Sequence, residues 1–97
     1  MKLYGALEAG GTKMVLAVAD ENLHMIDRET LPTQTPEETI PRMIAFFQRH
    51  AICALGVASF GPVDLNPASE TFGYITKTPK LQWRDYPLVP VLEKALH

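Results

Sequence analysis

The stretch Glu8-Ala9-Gly10-Gly11-Thr12-Lys13 decides how this chain begins to fold, because it separates two apolar runs. Residues 1–7 (MKLYGAL) and 14–19 (MVLAVA) have the length and composition of β-strands, and the glycines between them predict a tight hairpin turn. Glycine lets backbone N–H groups approach an anion with no Cβ in the way. Thr12 adds a donor, Lys13 a positive charge, and Glu8 an oxygen ligand suited to hydrated Mg²⁺. The pattern predicts either a phosphate-binding hairpin or an ordinary turn.

The composition is that of an ordinary globular protein. A length of 97 residues suits one small domain, and 46% apolar with 21% charged residues excludes a disordered chain. The net charge of −2, with no cluster of lysine and arginine, argues against a nucleic-acid surface. No apolar stretch approaches the length of a membrane span, and the first residues do not resemble a signal peptide. We therefore expect a cytoplasmic protein with no nucleic-acid or membrane partner.

The single cysteine, Cys53, excludes an internal disulfide and fits a reducing compartment. It lies in an apolar segment, which predicts a small buried side chain. The three histidines carry no metal-ligand spacing with it. We expect His24 on a strand surface, His50 near the end of a helix whose partial negative charge it would offset, and His97 as a terminal residue.

A third strand is predicted around residues 23–30, after a turn formed by residues 20–22, which gives a three-stranded antiparallel meander. A helix follows, with Thr35 as N-cap, Pro36 at the first position and Glu38 completing a capping box. Pro41 should kink this helix or delay its regular start. Helical spacing predicts one buried face, formed by Ile40, Met43, Ile44 and Phe47.

The second half of the chain begins with a nearly continuous apolar run at residues 52–59, which predicts a parallel, central strand buried on both faces. A sharp turn at residues 59–64 ends it. We expect a short strand at residues 74–76, a loop at residues 77–86 that carries Trp83, and a final helix at residues 87–96 with both of its prolines in the first turn.

Four motifs occur in the order and spacing of one enzyme family. They are residues 8–13 (EAGGTK), 56–64 (GVASFGPVD), 74–80 (YITKTPK) and Trp83. In them the chain resembles bacterial ROK-family sugar kinases, and within that family the fructokinase branch. The resemblance covers nearly the whole chain. It implies an α/β fold, namely the N-terminal lobe of the actin-like, ribonuclease-H-like ATPase fold, which opens with the order βββαβ.

The resemblance also implies roles for individual residues. It assigns Gly10, Gly11, Thr12 and Lys13 to the hairpin that faces the ATP phosphates, and Glu8 to the Mg²⁺ ion, by direct or water-mediated contact, where many members carry aspartate. It assigns Gly61, Pro62 and Asp64 to a turn bordering the sugar pocket, although Gly-Pro followed by Asp is also ordinary turn chemistry. Trp83 either lies near the sugar cleft or anchors its loop on the core.

The parts of the family that lie further along the chain are its catalytic aspartate, expected after His97, a zinc site of one histidine and three cysteines, and the second lobe. We therefore expect the parent enzyme to convert fructose to fructose 6-phosphate with ATP as a homodimer, and residues 1–97 to be inactive alone. The alternative is a non-catalytic module of the same fold that binds a nucleotide or a partner. A domain in which the Gly-Gly turn binds nothing is also open. A repressor of the same family is not expected, since the first strand begins at residue 2 or 3.

Without the rest of such a lobe, the strand at residues 52–59 should expose an edge and an apolar face. We expect this surface to be covered either by more chain or by a second copy.

Overall fold

The computed structural model describes residues 1–96 and divides the chain into two compact units, Met1–Ser59 and Phe60–His97. The expectation for His97 lies outside the described residues. The first unit contains, in order, β1 (Leu3–Ala9), β2 (Lys13–Asp20), β3 (Met25–Pro32), α1 (Pro36–Gln48) and β4 (Ile52–Ser59). This is the predicted βββαβ order, and the α/β fold class is confirmed.

The four strands form one mixed sheet in the order β3-β2-β1-β4. The first three strands pair antiparallel as a meander, and β4 pairs parallel with β1, with Leu7 opposite Val57. Residues alternate between the two faces of a strand, so Leu7 and Leu16 are buried on the face toward α1 while Glu8 is exposed on the other. The sheet therefore has one buried and one open face.

The core of this unit lies between α1 and the buried face of the sheet. The helix buries Ile40, Met43, Phe46 and Phe47, and the two phenylalanine rings meet edge to face with centroids 5.1 Å apart. Phe46 takes the place predicted for Ile44, which is only half-buried. The helical spacing was predicted correctly, but the buried face of the helix is rotated slightly, so that it includes Phe46 and not Ile44.

The start of α1 differs from the predicted capping box. Thr35 precedes the helix, but its hydroxyl donates to the Glu38 carboxylate, 2.8 Å away, and makes no capping bond to the backbone. The Glu38 and Thr39 N–H groups both donate to the Thr35 carbonyl oxygen instead. The helix is regular from Pro36 onward and contains Pro41, so this proline does not delay the start.

Charged side chains join the end of α1 to β3. The Asp27 carboxylate accepts hydrogen bonds from the Arg49 guanidinium, 3.1 Å away, and the His50 ring, 3.0 Å away. Hydrogen bonds from His50 and then Arg49 hold the pKa of Asp27 below its usual range. His50 thus lies just after the helix, as predicted, but its ring pairs with a strand carboxylate.

The turn between β2 and β3 is organised by Asp20. Its carboxylate accepts the N–H groups of Asn22 and His24, each at 2.9 Å. The predicted turn chemistry is confirmed, whereas His24 lies in this turn and not on a strand surface. Hydrogen bonds donated by His24 and Asn22 hold the pKa of Asp20 below its usual range.

Strand β4 has the predicted bounds and the predicted parallel pairing, but the predictions of a central position and of burial on both faces are wrong. It is an edge strand, and most of its residues are exposed. Cys53, predicted to be buried, is exposed as well. The apolar run meets covering side chains on one face only, because α1 is the only element that packs on this sheet within the first unit. The expected exposed edge is present.

The second unit contains a short 3₁₀ helix (Leu81–Trp83) and α2 (Leu88–Leu96). Pro90 lies in the first turn of α2 as predicted, whereas Pro87, also predicted there, precedes the helix. The predicted strand at residues 74–76 is absent. Ile75 forms only isolated bridges, to Val63 and to Tyr86. Both partners lie in short loop segments, so no strand within residues 60–96 is available for longer pairing. Among the described residues, no helix has the length and apolarity needed to cross a bilayer.

Candidate functional site

The hairpin between β1 and β2 has a three-residue tip, residues 10–12. Glu8 and Lys13, which the sequence pattern placed in the turn, belong to the two strands. The Gly10 N–H group donates to the Lys13 carbonyl oxygen at 2.9 Å and closes the tip. A Cβ built on Gly10 would lie 2.7 Å from that oxygen, so the close approach of the backbone requires glycine here.

Thr33, which directly follows β3, contacts the tip through two hydrogen bonds. Its hydroxyl donates to the Gly10 carbonyl oxygen at 2.8 Å, and its backbone N–H donates to the Thr12 carbonyl oxygen at 2.9 Å. Sequence reasoning missed this residue. The signal was available, because a β2–β3 meander places the residue after β3 beside the residue before β2.

Two of the three backbone N–H groups of the tip are available to a ligand. Within residues 1–96, the N–H groups of Gly11 and Thr12 have no hydrogen-bond acceptor. The side chains of Thr12 and Lys13 are exposed. The tip thus combines two free backbone donors, a hydroxyl and an ammonium group, which is the chemistry that receives a phosphate.

Glu8 lies near the end of β1 on the open face of the sheet, between Val15 of β2 and Ala58 of β4. Its exposed carboxylate lines an open depression whose remaining lining is mostly small and apolar: Ala6, Leu7, Val15, Ala17, Met25, Arg28, Gly56, Val57 and Ala58. The carboxylate and the hairpin tip belong to the same end of β1. The structure therefore brings the predicted metal-facing residue and the predicted phosphate-facing residues together.

The described part of the chain contains no group of three or more histidine, cysteine, aspartate or glutamate side chains that could hold a metal ion. One exposed carboxylate fits a Mg²⁺ ion that keeps most of its waters and is bound mainly through substrate phosphates. It does not fit an ion held by protein ligands alone. Glu8 is thus suited to a metal that arrives with a nucleotide.

Gly61, Pro62 and Asp64 belong to the second unit, and the Gly61–Pro62 peptide bond is cis. The Asp64 carboxylate accepts hydrogen bonds from the hydroxyls of Ser69, at 2.7 Å, and Thr71, at 2.6 Å. These hydroxyls, Thr71 first, and the N–H of Asn66 hold the pKa of Asp64 below its usual range. Asp64 therefore organises its own loop as a carboxylate.

Trp83 is 1% exposed and packs edge to face against the rings of Phe60, 6.0 Å away, and Tyr86, 5.5 Å away. This burial agrees with the alternative in which the tryptophan anchors its loop. Thr78, in the preceding motif, is also buried, and its carbonyl oxygen accepts a hydrogen bond from Arg84 at 3.2 Å.

Comparison with known proteins gives a consistent result. The family model described as ROK family matches residues 4–97. The chain is 50% identical over 93 residues to a fructokinase of Lactococcus lactis subsp. cremoris, covering 96% of this chain and 32% of that protein. It is 45% identical over 95 residues to a fructokinase of Streptococcus mutans, again 96% and 32%. A glucokinase of Streptomyces coelicolor is 30% identical over 98 residues, covering 96% of this chain and 29% of that protein. The chain spans about a third of the length of these relatives.

Proposed function

The chain belongs to the ROK family, and we propose that its parent protein transfers the terminal phosphoryl group of ATP to a hexose, fructose, to give fructose 6-phosphate. The observation that carries this proposal is the hairpin tip, with two backbone N–H groups free of acceptors within residues 1–96, next to Lys13. The choice of fructose rests on the names of the relatives with 40–50% identity to this chain.

In this proposal each part of the tip has one task. The N–H groups of Gly11 and Thr12 and the Thr12 hydroxyl donate to phosphate oxygens, and Lys13 offsets their negative charge. Glu8 would hold the Mg²⁺ ion that accompanies the nucleotide, directly or through a water molecule, and the ion would supply positive charge beside the phosphates. Phosphoryl transfer depends chiefly on positioning and charge stabilisation. These residues therefore supply binding and orientation, while the base that takes the sugar proton comes from another part of the parent protein.

We assign Gly61, Pro62 and Asp64 to the border of the sugar pocket. The support is that the Asp64 carboxylate gives the loop a fixed shape, because Oδ2 accepts from the Ser69 and Thr71 hydroxyls and Oδ1 accepts from the Asn66 N–H. A pocket wall needs such a shape more than it needs a free charge.

Two measurements on the 97-residue chain test whether its hairpin tip binds nucleotide and whether the chain is inactive alone. Titration with Mg²⁺ and ATP, followed by ¹H–¹⁵N NMR, should shift the amide signals of residues 10–13 and leave those of α1 unchanged. A coupled assay with fructose and ATP should detect no turnover. Turnover above that of the Thr12→Ala/Lys13→Ala variant contradicts the proposed inactivity. Absence of shifts at the tip contradicts nucleotide binding and supports a domain whose turn binds nothing.

A chimera tests the function of the whole enzyme. Residues 4–97 would replace the matching third of the Lactococcus lactis fructokinase. We expect fructose phosphorylation, and at least a hundred-fold loss in the Thr12→Ala/Lys13→Ala chimera, in line with the ~10²–10³ that one lost transition-state donor costs. The matched control is Thr30→Val, an exposed threonine on β3. A folded chimera that binds ATP without turnover favours the non-catalytic module.

We also propose that the open edge of β4 is covered in the parent protein, which we take to be a cytoplasmic homodimer containing a second lobe. Charged residues and prolines protect natural edge strands from pairing with another chain. Strand β4 carries neither. The 97-residue chain should then self-associate. A monomer at high concentration in light scattering, with a sharp unfolding transition, contradicts this.

A further inference from the structure

The orientation of the hairpin tip depends on a residue outside the hairpin. Thr33 uses both of its donors on the tip: the hydroxyl on the Gly10 carbonyl oxygen at 2.8 Å and the N–H on the Thr12 carbonyl oxygen at 2.9 Å. Thr33 is half-buried, directly after the last residue of β3. Two of the three carbonyl groups of the tip are therefore fixed by one residue of the segment that follows β3.

Because the peptide bond is planar, the bond from Thr33 to the Gly10 carbonyl also sets the direction of the Gly11 N–H group. In a trans peptide the C=O of one residue and the N–H of the next point in opposite directions. The Gly10 carbonyl points at Thr33, so the Gly11 N–H points away from it. The Gly10 N–H is already bonded to the Lys13 carbonyl oxygen at 2.9 Å. The free Gly11 donor is thus directed outward by the Thr33 hydroxyl.

We infer that Thr33 is a positioning residue for phosphate binding: it holds the tip so that the Gly11 N–H group is aligned for an anion before the anion arrives. This inference rests on the proposed function of the tip. Glycine gives the tip conformational freedom, and every freedom left in the unbound state must be lost on binding. A bond that removes this freedom in advance strengthens binding without touching the ligand.

The test compares threonine variants of the 97-residue chain. Thr33→Val keeps the shape and the backbone N–H bond but removes the hydroxyl, and Thr33→Ala removes it without the added methyl group. Thr33→Ser restores the hydroxyl. Thr30→Val is the matched control, because Thr30 lies on β3, the strand that Thr33 follows, is exposed and has no hydrogen bond to the tip. ¹⁵N relaxation reports the order of the Gly11 and Thr12 amides, and titration with tripolyphosphate and Mg²⁺ reports binding.

We expect Thr33→Val and Thr33→Ala to lower the order parameters of the Gly11 and Thr12 amides and to weaken tripolyphosphate binding about five-fold, the equivalent of one typical neutral hydrogen bond. Thr33→Ser and Thr30→Val should match the original chain. A merely structural role would lower the unfolding midpoint and leave the amide order of the folded tip unchanged.

Unchanged amide order and unchanged affinity in Thr33→Val overturn the inference, as does an equal loss in Thr30→Val. If no variant binds tripolyphosphate, the original chain included, the proposed function fails. The relaxation data then still decide whether Thr33 orders the tip.

Discussion

Alanine at position 10 tests the geometry on which the whole site depends. The ideal Cβ at Gly10 would lie 2.7 Å from the Lys13 carbonyl oxygen, closer than real Cβ atoms approach an oxygen. The obstacle is backbone, which cannot rotate away as a side chain can. Either the tip opens or the Gly10 N–H bond to the same oxygen, 2.9 Å long, is lost.

The magnitude follows from two opposing effects. Forcing extra volume into a packed site costs ~1–3 kcal/mol, and the lost hydrogen bond falls within that range. Replacing glycine also restricts the unfolded chain, which stabilises the fold by ~0.4–1 kcal/mol. We therefore expect Gly10→Ala to lower the free energy of unfolding by about 1–2 kcal/mol.

Gly56→Ala is the matched control, since no atom lies within 4 Å of a Cβ built there. Only the effect on the unfolded chain remains, so this variant should be as stable as the original or slightly more stable. For a domain of this size 1 kcal/mol corresponds to about 4–8 °C in Tm. Thermal unfolding followed by circular dichroism should separate the two variants by about 10 °C. Equal Tm values would refute the close approach at Gly10.

Three further predictions concern other parts of the chain. Gly73→Ala should lower Tm more than Gly10→Ala, because Gly73 has φ +82° and its Cβ would lie 2.5 Å from Val89 Cβ; equal Tm values argue against added backbone strain. Asp27→Asn should reduce the loss of stability in acid: the pKa of Asp27 is lowered by His50 and Arg49, so its contribution is present above its unfolded pKa and is lost below about pH 4. Parallel pH profiles of the unfolding midpoint would contradict this. Cys53 is exposed, so a thiol reagent should label one equivalent without denaturant, and labelling only after unfolding would contradict the exposure.

Local patterns were sufficient to predict the elements of the first unit. The alternation of apolar residues along β2 and the helical spacing from Ile40 to Phe47 report which backbone conformation can bury one face, and the structure has strands and a helix there. Burial of residues 52–59 could not be predicted in the same way. An apolar run shows that a strand can be buried, but whether it is buried depends on which elements pack against it.

The site shows the same division. Gly10 and Gly11 could be recognised from the sequence as a turn signal, and at Gly10 the Lys13 carbonyl oxygen leaves no room for a Cβ. The predicted meander already places the residue after β3 near the hairpin tip, but the contribution of Thr33 also depends on the exact register, with Lys13 opposite Pro32, and a shift of one residue would turn a different side chain to the tip. Ile75 illustrates the opposite error: a residue pattern typical of a strand yields only isolated bridges where no long neighbour is present.

The parallel pairing of β4 with β1 has a consequence for the order in which the chain folds. The β1–β2–β3 meander joins neighbours in sequence, so closing it costs little chain entropy. Leu7 can meet Val57 only after the meander and α1 have been synthesised. On a ribosome, the hairpin tip and its Thr33 contacts can therefore form before β4 emerges. We expect the nascent chain to acquire its β1–β2 turn first and its parallel strand last.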